Sequence, residues 1–434
     1  MRIGMKILIK IFLVLLFVNL SFAQRAELNH FIMDYGQTFD FVSARSLGMG
    51  GSGLAGGQSY DAPAINPALL SRISGGIAVA AGMWLNKTVE DRAFPYYDSF
   101  VGFNDYGSYA YNAYWKQNGW VSVQYRIPAS LVRGLTVATG YVPFRSYEYD
   151  YREEVRDPVN KNDRLLGYNT MMQTGRLNAI PLTVSYRLFN SLSVGAQVSF
   201  LLGNLEYKEM VNPKASEFQK NTRNLKIRKQ LAATPLVADL GATYTVNPRL
   251  TVGAKVRLPY TVKFNRQFSD LLADSSASLP AQQLDYPLTL GAGFEYRFEN
   301  VLAAVINFDF NYRFWSQFKV DGQTPQSFND SYQIKLGVEH RFFDRVPLRA
   351  GFLYETLPQS ASFTRSVMTV GSGFVFRNVH VNMSGGVSNF QYYQDDLFPE
   401  DLYGLENRSD ADRVRVTDFF VRLDCNYALQ FSGK

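Results

Sequence analysis

From about residue 75 onward the chain alternates apolar and polar residues with period two. Leu182, Val184, Tyr186 and Leu188 alternate with Thr183, Ser185 and Arg187. Leu192, Val194, Ala196, Val198, Phe200 and Leu202 alternate with Ser193, Gly195, Gln197 and Ser199, and residues 250–264 and 288–298 repeat the scheme. Each run is about ten residues or longer, enough for a tilted strand to cross a bilayer and longer than the usual strand of a soluble sheet. The connections alternate in length. Short turns fall near 127–133, 188–190, 247–248, 299–300, 343–345 and 377–378. Long loops fall near 87–107, 150–172, 208–228, 265–284, 316–331, 356–364 and 390–412. Short turns on one side and long loops on the other mark outer-membrane barrels, the short side being periplasmic. The pattern predicts an all-β fold, a 14-stranded antiparallel transmembrane β-barrel. Its strands are expected at 75–86, 108–126, 134–149, 173–187, 191–207, 229–246, 249–264, 285–298, 301–315, 332–342, 346–355, 365–376, 379–389 and 413–431. In the last strand the alternation slips near Asp418-Phe419-Phe420, which reads as a bulge.

The N-terminal part does not alternate. Arg2, Lys6 and Lys10 precede and flank an apolar stretch over 7–18, and Ser21-Phe22-Ala23 is a small-x-small site. This predicts a signal peptide over 1–23, cleaved before Gln24, with no lipoprotein cysteine. Residues 24–74 hold a glycine-rich run over 48–57 and then Asn66-Pro67-Ala68. The segment precedes the first strand, so it is expected to start on the periplasmic side. A fourteen-stranded lumen is too wide for barrel side chains alone to fill. The segment is therefore assigned as an N-terminal lumenal hatch, a plug, with the barrel proper over 75–434.

Composition supports this organisation. The chain of 434 residues has 27 Tyr and 33 Phe, suited to interfacial aromatic girdles, and a single cysteine, so no disulfide framework. Cys425 falls on the apolar face of its strand. A net charge of +6 is mild at this length and does not call for nucleic acid. Gly48-Met49-Gly50-Gly51-Ser52-Gly53 matches G-x-G-x-x-G, but no strand precedes it and no parallel sheet follows, so it reads as tight backbone packing. There is no G-x-S-x-G, and the histidines, His30, His340 and His380, lack metal-ligand spacing. No catalytic residue, metal site or cofactor is expected, and the chain is read as a non-enzyme. The acidic stretch of Asp395, Asp396, Glu400, Asp401, Glu406, Asp410 and Asp412 reads as a solvated loop, the other reading being a divalent-cation bridge to lipopolysaccharide.

The lumen-facing registers carry a basic excess. They place Arg187, Lys255, Arg257, Lys263, Arg297, Arg313, Lys335, Arg341, Arg349 and Arg422 inside, against Glu295, Asp309, Glu339, Glu355 and Asp424. Most of these fit salt-bridge ladders. Lys255, Arg257, Lys263, Arg297 and Arg313 are the candidates for binding an anionic head group. Phe94, Tyr96, Tyr97, Phe100 and Phe103 lie in the first long loop and are candidates for an extracellular apolar catching surface, interfacial anchoring being the alternative.

Three stretches resemble the long-chain fatty acid outer-membrane transporters, the FadL-like family with its aromatic-hydrocarbon relatives. They are Ser43-Ala44-Arg45-Ser46-Leu47-Gly48-Met49-Gly50-Gly51 with Asn66-Pro67-Ala68, then Asp309 to Trp315-Ser316-Gln317-Phe318, then Leu348-Arg349-Ala350-Gly351-Phe352-Leu353-Tyr354-Glu355-Thr356-Leu357-Pro358. The resemblance implies a hatch built on Gly48, Gly50, Gly51, Asn66, Pro67 and Ala68. It also implies passive uptake of a hydrophobic or amphipathic small molecule, and a wall opening that can release it sideways. Expected partners are that ligand, outer-membrane lipid and lipopolysaccharide. A second family with the same hatch opening, the FadL-like barrels of Bacteroidetes-type secretion machinery, implies a protein partner instead. The C-terminus departs from the usual aromatic ending, because Phe431 is followed by Ser432-Gly433-Lys434.

Overall fold

The computed structural model describes residues 27–39, 42–73, 75–100, 102–157, 164–299, 304–325, 328–342, 346–360, 363–405 and 410–429. The expected signal peptide and the Phe431 ending lie outside these residues. Fourteen antiparallel strands close on themselves. They are β1 (Ile77–Tyr97), β2 (Phe103–Arg126), β3 (Leu135–Ser146, continued by Tyr149–Arg156), β4 (Leu165–Arg187) and β5 (Leu192–Leu202, then Asn204–Pro213). There follow β6 (Arg223–Leu231, then Leu236–Asn247), β7 (Leu250–Arg257, then Tyr260–Asp270), β8 (Ser275–Tyr286, then Thr289–Arg297) and β9 (Val305–Arg313). The last are β10 (Ser331–Phe342), β11 (Val346–Thr356), β12 (Thr364–Phe376), β13 (Val379–Gln394) and β14 (Asp412–Leu429). β1 pairs with β14 from Ile77↔Leu429 to Ala93↔Arg413, so the sheet has no end strand.

The outward face of the lower half is the lipid belt. Val79, Met83, Val121, Val123, Leu182, Val184, Leu202, Leu240, Val252, Phe294, Val370, Val381, Leu423 and Cys425 are exposed there in register. Several stretches expected as long loops are instead strand. Residues 87–97, 103–107, 165–172, 208–213 and 275–284 continue their ladders above the belt. The period fades there because both faces can be polar outside a bilayer, while the backbone must still be hydrogen-bonded.

Two register expectations change. β14 holds one unbroken register against both neighbours, so there is no bulge at Asp418. The polarity pattern inverts instead. Above the belt Val414 and Val416 turn inward into an apolar cluster with Leu28, Phe390 and Tyr392, and Arg415 faces water. On β7 the chain does shift phase, at Leu258-Pro259 between its two segments. Below that break Thr251 and Gly253 face inward; above it Tyr260, Val262 and Phe264 do, which turns Lys263 outward.

Inside the barrel the N-terminal segment runs downward. Its first helix, α1 (Leu28–Tyr35), sits at the extracellular end, with Phe31 against Trp315 and Phe328 and with Leu28 against Phe390. This corrects the expected periplasmic start. The chain then descends through Gln37 and Thr38, which pair with Ser146 and Arg145 of β3, to a second helix, α2 (Ala44–Gly48).

Candidate functional site

The hatch is seated on the wall by polar clamps and by glycine. Asp309 on β9 accepts from the backbone amides of Gly53 (2.7 Å) and Leu54 (3.0 Å). Glu339 on β10 pairs with Arg45 at 3.2 Å, and Asp424 on β14 accepts the amide of Ala44 at 2.5 Å. The Asn66 side chain accepts from Ala68 N at 3.1 Å and donates to Leu54 O at 2.7 Å, so it both starts a 3₁₀ turn and ties it to the glycine loop. Gly50 and Gly51 take positive φ (65° and 77°), which their lack of a Cβ permits. The wall answers with glycines of its own. A Cβ on Gly351 would collide with Gly50, one on Gly195 with Pro67 and Ala68, and one on Gly241 with Asn66.

Above the hatch lies a cavity of about 130 Å³. Lys255, Arg257 and Arg313 line it, as do Arg145, Lys335, Asp309 and the rings of Phe39, Tyr260, Tyr286 and Trp315. Lys255 and Arg257 share one carboxylate, Asp239, at 3.3 and 2.8 Å. Arg145 donates to Tyr35 O (3.1 Å), Gly36 O (2.7 Å) and Tyr260 Oη (3.1 Å), and its guanidinium stacks 4.2 Å from the Tyr286 ring centroid. Those partners are neutral, and among the described residues no carboxylate pairs with Arg145. The site therefore combines a cationic floor with an aromatic wall.

Of the five sequence candidates, Lys255, Arg257 and Arg313 meet at this cavity. Lys263 does not, because the β7 phase shift turns it outward. Arg297 lies at the periplasmic rim, half-exposed and paired with Glu295 at 2.8 Å. Arg145, Tyr260 and Tyr286 went unnoticed in the sequence. Their signal is the failure of alternation where β3, β7 and β8 break.

The wall is unzipped along one edge of the strand that carries Arg145. β2 pairs with β3 only over Val121–Arg126 against Thr136–Tyr141. Above that, β2 bonds to β1 alone, while β3 bends at Tyr147-Glu148 and its upper segment pairs with β4. Side chains bridge the seam. Asn118 Nδ2 donates to Asn178 Oδ1 at 2.9 Å, Arg176 pairs with Glu148 at 2.8 Å and donates to Gln117 O, and Arg152 N donates to Asn112 Oδ1 at 2.9 Å.

The extracellular mouth is capped. The acidic stretch expected as a solvated loop folds inward, burying Phe398, Leu402 and Tyr403 against Tyr151, Leu166 and Met171; Glu406 lies outside the described residues. Tyr403 Oη donates to Asn169 Oδ1 (2.7 Å), Asn169 Nδ2 donates to Glu153 (2.5 Å), and Tyr151 Oη donates to Glu153. Burial, with Asp396 nearby, pushes the Glu153 carboxyl up to about 7. Phe94, Tyr96, Tyr97, Phe100 and Phe103 occupy the tip of the extended β1–β2 hairpin rather than a loop; Phe100 is 90% exposed and Phe94 packs on Tyr96 and Tyr109.

Comparison with known proteins adds to this geometry. The BamG family model matches residues 122–388. No curated protein matches by sequence. A solved Pseudomonas aeruginosa FadL homologue is similar at 14% identity, with 90% of this chain and 99% of that one covered and a TM-score of 0.63. The Pseudomonas putida toluene transporter TodX is similar at 14% identity, covering 89% and 98%, with a TM-score of 0.59. The Ralstonia pickettii toluene transporter TbuX is similar at 16% identity, covering 90% and 98%, with a TM-score of 0.57. These identities carry the fold.

Proposed function

Because the chain belongs to the BamG family, a FadL-like family of the outer membrane, we propose that it is a channel for passive uptake of a hydrophobic or amphipathic small molecule. The observation that carries this reading is the cavity's position. Its lining includes the uncompensated Arg145, and the strand that carries Arg145 is not joined to β2 by a ladder above Tyr141. An apolar tail gains about 0.8 kcal/mol for each buried CH₂, and an anionic head gains a charge-assisted hydrogen bond from a guanidinium that has no carboxylate to give up. Solved proteins of similar fold are toluene transporters and a monoaromatic hydrocarbon channel, which favours a hydrophobic cargo without naming one.

In this reading the ligand leaves sideways between β2 and β3, and the hatch yields only as far as the ligand favours the displaced state. A cysteine pair replacing Asn118 and Asn178 tests the exit. Under oxidising conditions it should abolish uptake of a labelled long-chain fatty acid or of toluene, and reduction should restore it. Unchanged uptake in the oxidised form would refute the lateral route.

A second reading has its own support. α1 and the folded acidic loop narrow the mouth to a cleft of about 550 Å³ beside His30, Phe328 and Tyr393, and the hatch fills the floor, leaving about 130 Å³ at the cationic cluster. Such a barrel suits a protein-interaction role in a secretion machinery. That reading predicts a stoichiometric protein partner in a gentle pull-down, and recovery of the barrel with lipopolysaccharide alone counts against it.

A further inference from the structure

The outward face just above the lipid belt carries a cluster that the uptake reading does not use. Glu206 and Lys208 on β5 stand opposite Arg228 and Lys226 on β6. All three cations converge on the single carboxylate, Lys226 at 2.8 Å, Lys208 at 3.0 Å and Arg228 at 3.2 Å. Lys208 and Lys226 face each other directly across the ladder, a like-charge pairing that destabilises a sheet unless something neutralises it. One carboxylate among three cations leaves two positive charges. Lys263, turned outward by the β7 phase shift, is a further exposed cation on the next strand, four positions below the Gln267 that faces Arg228.

Height above the membrane decides what this surface meets. Leu202 and Leu236, 41% and 55% exposed, are the uppermost lipid-facing leucines on β5 and β6. Glu206 lies four residues beyond Leu202, about 13 Å along the strand at ~3.3 Å per residue. That is the depth of the outer leaflet's head groups. Two of the cations point into this layer half-exposed, with side-chain exposures of 50% for Lys208 and 56% for Arg228. The three cations also hold the Glu206 carboxyl down at about 2, so it stays charged.

We infer that Lys208, Lys226 and Arg228 form a binding site for the phosphate of an anionic lipid in the outer leaflet, with Glu206 as the resident anion that spaces the cations when no lipid is bound. The phosphate takes up the two unneutralised charges, and acyl chains follow the belt below. The site is independent of the lumenal cavity, so it stands or falls separately from the uptake reading.

Native mass spectrometry of the purified full chain in detergent tests it, with diphosphoryl lipid A, enzymatically dephosphorylated lipid A and inorganic phosphate as probes. The wild type should retain diphosphoryl over dephosphorylated lipid A, and a Lys208→Gln, Lys226→Gln, Arg228→Gln variant should lose at least about tenfold of that preference, at roughly fivefold per cation near a charged surface. Glu206→Gln should raise it several-fold, because it frees all three cations, whereas a merely structural ion-pair cluster would be weakened by that change. Displacement of lipid A by millimolar inorganic phosphate would make the site one for free phosphate and overturn the lipid assignment. Equal preference in wild type and triple variant, or a loss of binding in Glu206→Gln with the barrel intact by heat-modifiable gel mobility, would also overturn it.

Discussion

Asp309 shows how one side chain can hold a plug. Its carboxylate accepts two consecutive backbone amides of the glycine loop, at 2.7 and 3.0 Å, from a strand otherwise committed to the wall. Both donors are buried, so removing the acceptor costs the desolvation of each, on the order of 1–3 kcal/mol. Asp309→Ala should speed hydrogen exchange at Gly53 and Leu54 by roughly ten- to a hundredfold while barrel-wall amides keep their protection. Equal protection in the variant would mean that the glycine packing alone seats the loop. Glu339 and Asp424 repeat the device, each reaching inward from a different strand to the same α2 region. The buried charges that looked like wall-bracing ladders in the sequence are thus partly hatch clamps. Only the fold reveals this, because their partners lie 255 to 380 residues away along the chain.

At the scale of elements, the folded β13–β14 connection is set to respond to pH. Glu153 lies beneath it, bonded by Tyr151 and Asn169, and its carboxyl is raised from the usual 4.5 to about 7. Asp396 opposes its ionisation and Arg92 favours it. The folded cap therefore binds the proton more tightly than the opened cap does. Its contribution is fully present below about pH 4.5 and is lost as the pH rises through about 7. Limited proteolysis within 395–405 should be slower at pH 5 than at pH 8, and Glu153→Gln should flatten that dependence. A wild-type profile with no slope in this window would sink the idea. This cap also marks where sequence reasoning stopped. Fourteen strands were legible because the belt imposes a strict inside–outside alternation. Above the belt that constraint ends. Val414 and Val416 turn inward and mimic a bulge that is absent, while Leu258-Pro259 is a genuine phase shift that the alternation passed over. The same loss of constraint hid Arg145, which belongs to no run, and misplaced Lys263, which belonged to one only by extrapolation.

At the scale of the molecule, wall and hatch are held by different forces, and this separates their stabilities. Each strand finds both neighbours through main-chain ladders, and the ring closes at β1–β14 without any residue of the hatch. Apart from a two-residue ladder of Gln37 and Thr38 on β3, the hatch is held by side-chain clamps and by close contact with wall glycines at Gly195, Gly241 and Gly351. Excising 27–72 should therefore leave the barrel closed, with strand content and heat-modifiable gel mobility retained. It would remove α1, the floor of the mouth, and every partner that Asp309, Glu339 and Asp424 find on the hatch. A lumen of fourteen strands without its plug is wide enough for water, so these carboxylates become solvated rather than stranded. In planar bilayers the full chain should pass no steady current, and the excised form should show stepwise openings. The basic excess of the wall should make them anion-selective, and more strongly so in an excised Asp309→Asn, Asp424→Asn background. A folded but silent excised barrel would show that the extracellular cap alone closes the pore, and would shift the gate from the hatch to residues 395–405.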